Sequence, residues 1–146
     1  MRTAALLFLA LLAGSASMLP CAALAQVAQN PFDGSWIGRI SCPSNTEESG
    51  AKGYSYDFPT SVENSLLSGA HGEEGSAGSL KIEGHISPDG NAELRAHGRT
   101  ANPDFAVSKP SSGTPYTYRI KAQFERGGGT GTRLDARVCN FTFTRQ

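Results

Sequence analysis

The chain predicts an all-β fold: a small antiparallel up-and-down β-barrel of about seven or eight strands, stapled by one disulfide. Three observations predict it. Apolar and polar residues alternate with period two in short segments. The 17 glycines and 8 prolines are dispersed between those segments rather than clustered, as strands joined by turns require. Of the 3 cysteines, Cys42 and Cys139 lie in alternating segments near opposite ends of the chain.

Residues 1–25 read as an export signal. Arg2 supplies a positive start, Ala4 to Ala13 an apolar stretch too short to span a bilayer, and Ala23-Leu24-Ala25 a small-x-small cleavage site before Gln26. Cys21 suggests a lipoprotein instead, but Pro20 stands where lipidation needs a small residue. The expected destination is periplasmic or secreted, an oxidising compartment with no membrane attachment after cleavage. About 120 residues then remain, enough for one core: a flexible lead-in over 26–33 and a single domain over 34–146. A formal net charge of 0 gives no electrostatic case for nucleic acid.

The first strand is Gly34 to Cys42, with Trp36, Gly38, Ile40 and Cys42 on one face and Ile37 as the exception. Pro43 to Gly53 is polar and turn-rich, hence a loop carrying Glu47 and Glu48. Tyr54 to Phe58 alternates aromatic residues with Ser55 and Asp57, and Pro59 should end it. Val62 to Ala70 reads as a third strand, its facing blurred by adjacent Leu66 and Leu67. Leu80 to Gly98 is a hairpin around Ser87-Pro88-Asp89-Gly90-Asn91, where Pro88 fixes φ and Gly90 accepts a positive φ. Setting Ile86 opposite Ala92 also sets His85 opposite Glu93 and Glu83 opposite Arg95, so both faces of the ribbon support one register.

Arg99 to Pro115 is a long connection with a candidate short strand at Phe105 to Val107. Tyr116 to Phe124 alternates cleanly, with Tyr116, Tyr118, Ile120, Ala122 and Phe124 inward. Gly127 to Gly129 then turns the chain into Thr130 to Leu134, and Val138 to Thr144 is the last strand. In an antiparallel pair the end of the first strand lies beside the start of the last. Period-two counting puts Cys42 and Cys139 on the apolar faces there, so a disulfide between them would close nearly the whole domain into one loop. Pairing of the first and last strands removes free edges and favours a barrel; a β-sandwich with a terminal disulfide is the alternative.

Gly34-Ser35-Trp36 resembles the Gly-x-Trp opening of calycin barrels, which include lipocalins and avidins. The resemblance implies a tryptophan plugging one end of a barrel. Phe32-Asp33-Gly34-Ser35-Trp36, Gly53-Tyr54-Ser55-Tyr56, Asn102-Pro103-Asp104, Gly113-Thr114-Pro115-Tyr116-Thr117-Tyr118 and Cys139-Asn140-Phe141-Thr142-Phe143 are similar to stretches of small, uncharacterised exported alphaproteobacterial proteins. That likeness implies export and β structure, and transfers no active site.

The residues offer no catalytic constellation, cofactor motif or metal site. His85 and His97 fall toward opposite ends of the hairpin, and with His71 they read as surface histidines. Glu47, Glu48, Glu73 and Glu74 are adjacent pairs on loops, the usual form of solvating charge. The more informative residues are Trp36, Tyr54, Tyr56, Tyr116 and Tyr118. Their rings face inward, and buried phenols need hydrogen-bond partners, which a ligand at a barrel mouth could supply. The size of an eight-stranded barrel favours an interior filled by side chains over such a pocket. The expected function is an exported, non-catalytic module that binds a small molecule or an exported protein. That module would use the barrel mouth or the loops 43–53 and 99–115; the alternative is an inhibitor of an exported hydrolase acting through a protruding loop.

Overall fold

The computed structural model describes residues 30–45 and 49–146; the export signal, Glu47 and Glu48 lie outside the described residues. The chain forms eight antiparallel strands: β1 (Gly34–Cys42), β2 (Tyr54–Glu63), β3 (Leu66–His71), β4 (Leu80–Ile86), β5 (Asn91–Arg99), β6 (Pro115–Phe124), β7 (Gly128–Arg133) and β8 (Asn140–Arg145). Each pairs with the next, and β1 pairs with β8 from Trp36↔Arg145 to Ser41↔Asn140, closing an up-and-down barrel. It is a barrel and not a sandwich. The Cys42–Cys139 disulfide, with Cα atoms 4.3 Å apart, crosses the seam at the end where β1 finishes and β8 begins.

Period-two alternation decides what goes inside. Trp36, Ile40 and Cys42 of β1, Leu94 and Ala96 of β5, and Tyr118, Ile120 and Phe124 of β6 are buried. The β4–β5 register is the expected one, Ile86↔Ala92 through Leu80↔Gly98, with His85↔Glu93 and Glu83↔Arg95 on the outer face. The ion pairing there differs: Glu83 bridges to Lys81 on its own strand at 3.3 Å. Arg95 has Arg119 as its neighbour on the other side, a like charge that counts against the expected pair. On β1 and β2 a cross-strand pair does form outward, Arg39 with Asp57 at 2.7 Å.

Four boundaries depart from the sequence reading. Strand β2 runs through Pro59 to Glu63, because its ladder to β3 begins only at Thr60↔Gly69 and asks no bond of Pro59 on that side. The stretch Val62 to Ala70 is not one strand but the heart of a hairpin. Asn64 (φ 51°) and Ser65 (φ 71°) form a two-residue turn with positive φ at both positions. Their N–H groups donate to the Asp33 carboxylate at 3.2 and 3.1 Å. Phe105 to Val107 is no strand; Pro103–Phe105 is a 3₁₀ turn whose Asn102 side chain accepts from the Asp104 N–H. Gly128 and Gly129 belong to β7, since Gly129 faces Phe124 and leaves room for its ring: a Cβ there would lie 2.8 Å from it.

One end of the barrel is packed solid. Trp36 meets Phe124 edge to face at 5.7 Å, Phe124 lies 4.9 Å from Phe143, and Phe58 meets Phe143 edge to face at 6.5 Å. Residues 30–33 do not hang free as a lead-in. Phe32 is buried over Phe124, and its carbonyl accepts from Trp36 Nε1 at 2.9 Å. Arg145 completes this end, with its guanidinium over the Trp36 ring and donating to the carbonyls of Pro31, Asp33 and Arg126. Both ends of the barrel chain meet here, the Gln146 N–H donating to the Ser35 carbonyl at 2.9 Å.

Candidate functional site

The opposite end is hollow. Above Ile120 and Phe141 the inward positions are taken by the four tyrosines, Tyr54 and Tyr56 on β2 and Tyr116 and Tyr118 on β6. Each pair stacks along its own strand, Tyr54 on Tyr56 at 5.9 Å and 12°, Tyr116 on Tyr118 at 5.7 Å and 14°. Rings stacked this way lie along the wall and leave the axis empty. A cavity of about 400 Å³ results, within the range of small-molecule sites. Trp36, expected beside the tyrosines, does not line it; β1 runs antiparallel to β2, so a residue at the start of β1 pairs with Thr60, near the far end of β2.

Three arginines and one histidine join the tyrosines. Arg133 is paired with Ile120 and therefore points inward, its guanidinium carbon 4.1 Å from the centre of the Tyr118 ring. Arg137 is buried between β7 and β8 and donates to the carbonyls of Phe105 (3.0 Å), Lys52 (3.2 Å) and Pro43. One guanidinium thus ties three segments of the rim together. Arg99 donates to the Gly113 carbonyl at 2.9 Å, and His71 stacks on Tyr56 at 4.2 Å.

The 99–115 connection folds across this mouth. Its base is zipped by the Thr100 N–H to the Thr114 carbonyl and the Gly113 N–H to the Thr100 carbonyl. Phe105 sets its edge on Tyr54 at 6.2 Å, and Lys52 bridges to Asp104 at 2.7 Å while its N–H donates to the Asp104 carbonyl. The segment expected to protrude is held down over the cavity.

Burial keeps the phenols protonated. Desolvation pushes Tyr116 up to about 12 and raises Tyr54, Tyr56 and Tyr118 as well, with neighbouring phenols adding to the rise at Tyr56, Tyr116 and Tyr118 and nearby arginines opposing it at Tyr54, Tyr116 and Tyr118. Tyr116 donates its hydroxyl to the Ser79 carbonyl at 2.9 Å. Among the described residues, the hydroxyls of Tyr54, Tyr56 and Tyr118 make no hydrogen bond. Desolvation also lowers the pKa of Arg137, against the pull of Tyr54.

The remaining candidates do not converge. His85 is exposed on β4, His97 lies on the outward parity of β5, and Glu73 and Glu74 sit in the exposed β3–β4 turn. The sequence reading passed over Arg133 and Arg137, although parity held the signal: Arg133 shares a face with Gly129 and Gly131, and Arg137 with Cys139 and Phe141. No protein-family model matches the chain, and no curated protein or solved structure does either.

Proposed function

We propose that this protein is an exported, non-catalytic binding module that takes a small molecule into the tyrosine-lined mouth. The observation that carries the reading is the hollow end itself: rings that could have met across the barrel stack along its wall, leaving about 400 Å³ beside three phenols without partners. Phenols are amphipathic, offering an apolar face to a ligand body and an O–H to its polar group. The wall groups are phenols, guanidiniums and one imidazole, with no carboxylate among the described residues that line it. Apart from the His71 imidazole, such a set holds and orients better than it exchanges protons at neutral pH. The calycin-like opening fits a ligand-holding barrel, and the disulfide fits an oxidising compartment outside the cytoplasm. The inhibitor reading drew on a projecting loop, whereas residues 99–115 are tied across the mouth.

Native mass spectrometry of protein isolated from its own compartment tests this reading, and a retained small molecule is the expected result. Titration with neutral N-phenyl-1-naphthylamine should shift the NMR resonances of Tyr54, Tyr56, Tyr116 and Tyr118 and spare those of Phe143. Bare protein whose tyrosines ignore the probe would rule the reading out.

A further inference from the structure

Resting on the mouth as a binding site, we infer that its ligand is an organic monoanion whose carboxylate sits at Arg133 and whose apolar body lies between the tyrosine pairs. The charge of the wall favours an anion. Arg99, Arg133 and Arg137 line the cavity, and no Asp or Glu among the described residues lines it with them. A positive, partly enclosed, low-dielectric site attracts an anion more strongly than water-exposed arginines would.

The three guanidiniums differ in what they already hold. Arg99 and Arg137 are oriented by backbone carbonyls, partners that satisfy hydrogen bonds and leave the charge uncancelled. Arg133 is different. Among the described residues its side chain has no ion pair or hydrogen bond; its Nε is buried without a partner, as is that of Arg137, but Arg137 has its terminal nitrogens on three carbonyls and Arg133 has none. Its guanidinium lies over the face of Tyr118, so the rim of the guanidinium plane, where all its N–H donors point, is without a protein acceptor. A buried donor of this kind is costly until something accepts from it. A carboxylate matches a guanidinium edge with two parallel hydrogen bonds, and an adjacent phenol donates a third.

A single uncommitted guanidinium limits the ligand's charge to one. A phosphate dianion would bring a second charge to a wall where one guanidinium is uncommitted, Arg99 and Arg137 being held by backbone carbonyls. Besides the phenols, His71, Thr100 and Asn102 are the only other polar side chains among the described residues of a mainly aromatic and aliphatic lining. A buried charge without a hydrogen-bonded partner is unfavourable. The ligand expected is therefore an aromatic or otherwise apolar carboxylate, its ring or chain against Tyr54, Tyr56 and Phe105.

A matched set of ligands reads this out by NMR titration: naphthalene-2-carboxylate, naphthalene-2-carboxamide and 2-naphthyl phosphate at neutral pH. The carboxylate should bind at least about tenfold more tightly than the amide, and no more weakly than the phosphate. Arg133→Gln should bring carboxylate and amide within about twofold of each other, while Arg133→Lys keeps part of the preference. Amide binding equal to carboxylate in the wild type, or tightest binding of the phosphate, would overturn the monoanion inference and leave the binding site standing. Failure of all three to bind would remove the site and the inference together. The wild-type ratio decides the charge question without any variant; a folded Arg133→Gln protein that keeps the preference would overturn Arg133 as its source.

Discussion

The two ends of this barrel are made by the same eight strands and braced in the same way, yet one is solid and the other hollow. At each end an arginine beside an aromatic ring holds three backbone carbonyls, Arg145 over Trp36 at one and Arg137 near Tyr54 at the other. The difference lies in where the aromatic rings go. At the closed end glycines stand opposite or beside them, so rings cross the interior: a Cβ on Gly38 would lie 2.4 Å from the Phe58 ring, and one on Gly69 3.1 Å from it. At the open end each tyrosine has another tyrosine two residues away on its own strand and stacks on it, and no ring contact among the described residues joins the two pairs. A barrel of fixed strand number can thus be filled or emptied by whether its aromatic rings cross the interior or stack along the wall, with no change in architecture.

The comparison assigns cohesion to packing at one end and to a covalent bond at the other, and the largest test breaks that bond. The disulfide spans 97 residues, and Cys139→Ser should cost about 4–5 kcal/mol by the chain-entropy argument. Chemical denaturation with and without reductant measures it; a loss below about 1 kcal/mol would show that packing holds the open end too. Next comes Phe124→Ala, which removes the ring shared by Trp36, Phe32 and Phe143 and should cost about 3–5 kcal/mol. Trp36, the chain's one tryptophan, would report that loss by its fluorescence.

The phenol part of an alkaline titration acts on the open end alone, since all four tyrosines are there. Their folded pKa values lie above the unfolded value of 10, with Tyr116 near 12, so the folded state keeps protons that the unfolded chain gives up. Their contribution is full below pH 10 and falls as pH rises from 10 through 12. Thermal melts across that window, paired with tyrosine absorbance, should show stability declining before the phenols titrate. A melting temperature flat through pH 12 would mean the phenols are not desolvated. The smallest effect is expected of Tyr56→Phe, whose hydroxyl has no partner to lose: stability should move by no more than about 0.5 kcal/mol. A larger loss would reveal a hydrogen bond, and so a fuller mouth.

The closed end was the more legible of the two in the sequence. Alternation located Trp36 and Phe124, and the β4–β5 register was readable because apolar complementarity and the Pro88-Asp89-Gly90 turn agree. The Asn64-Ser65 turn was hidden, because a two-residue hairpin without glycine looks like continuous strand, and Pro59 suggested a break five residues too early. The open end hid for a different reason. Its arginines point inward, against the rule that strands turn charge to water, and what satisfies Arg137 is carbonyl groups of loops distant in sequence. Strand parity reveals which residues face in; it does not reveal which backbone oxygens will meet them.

Strand β1 begins and β8 ends at the solid end, where the Gln146 N–H closes on Ser35 and Arg145 packs over Trp36. The geometry has a directional consequence for handling. A tag, fusion partner or surface linkage attached after Gln146 extends from the face opposite the cavity, as does one joined just ahead of Asn30. Immobilised by either route on a sensor chip or bead, the barrel would stand with its opening toward the flowing solution.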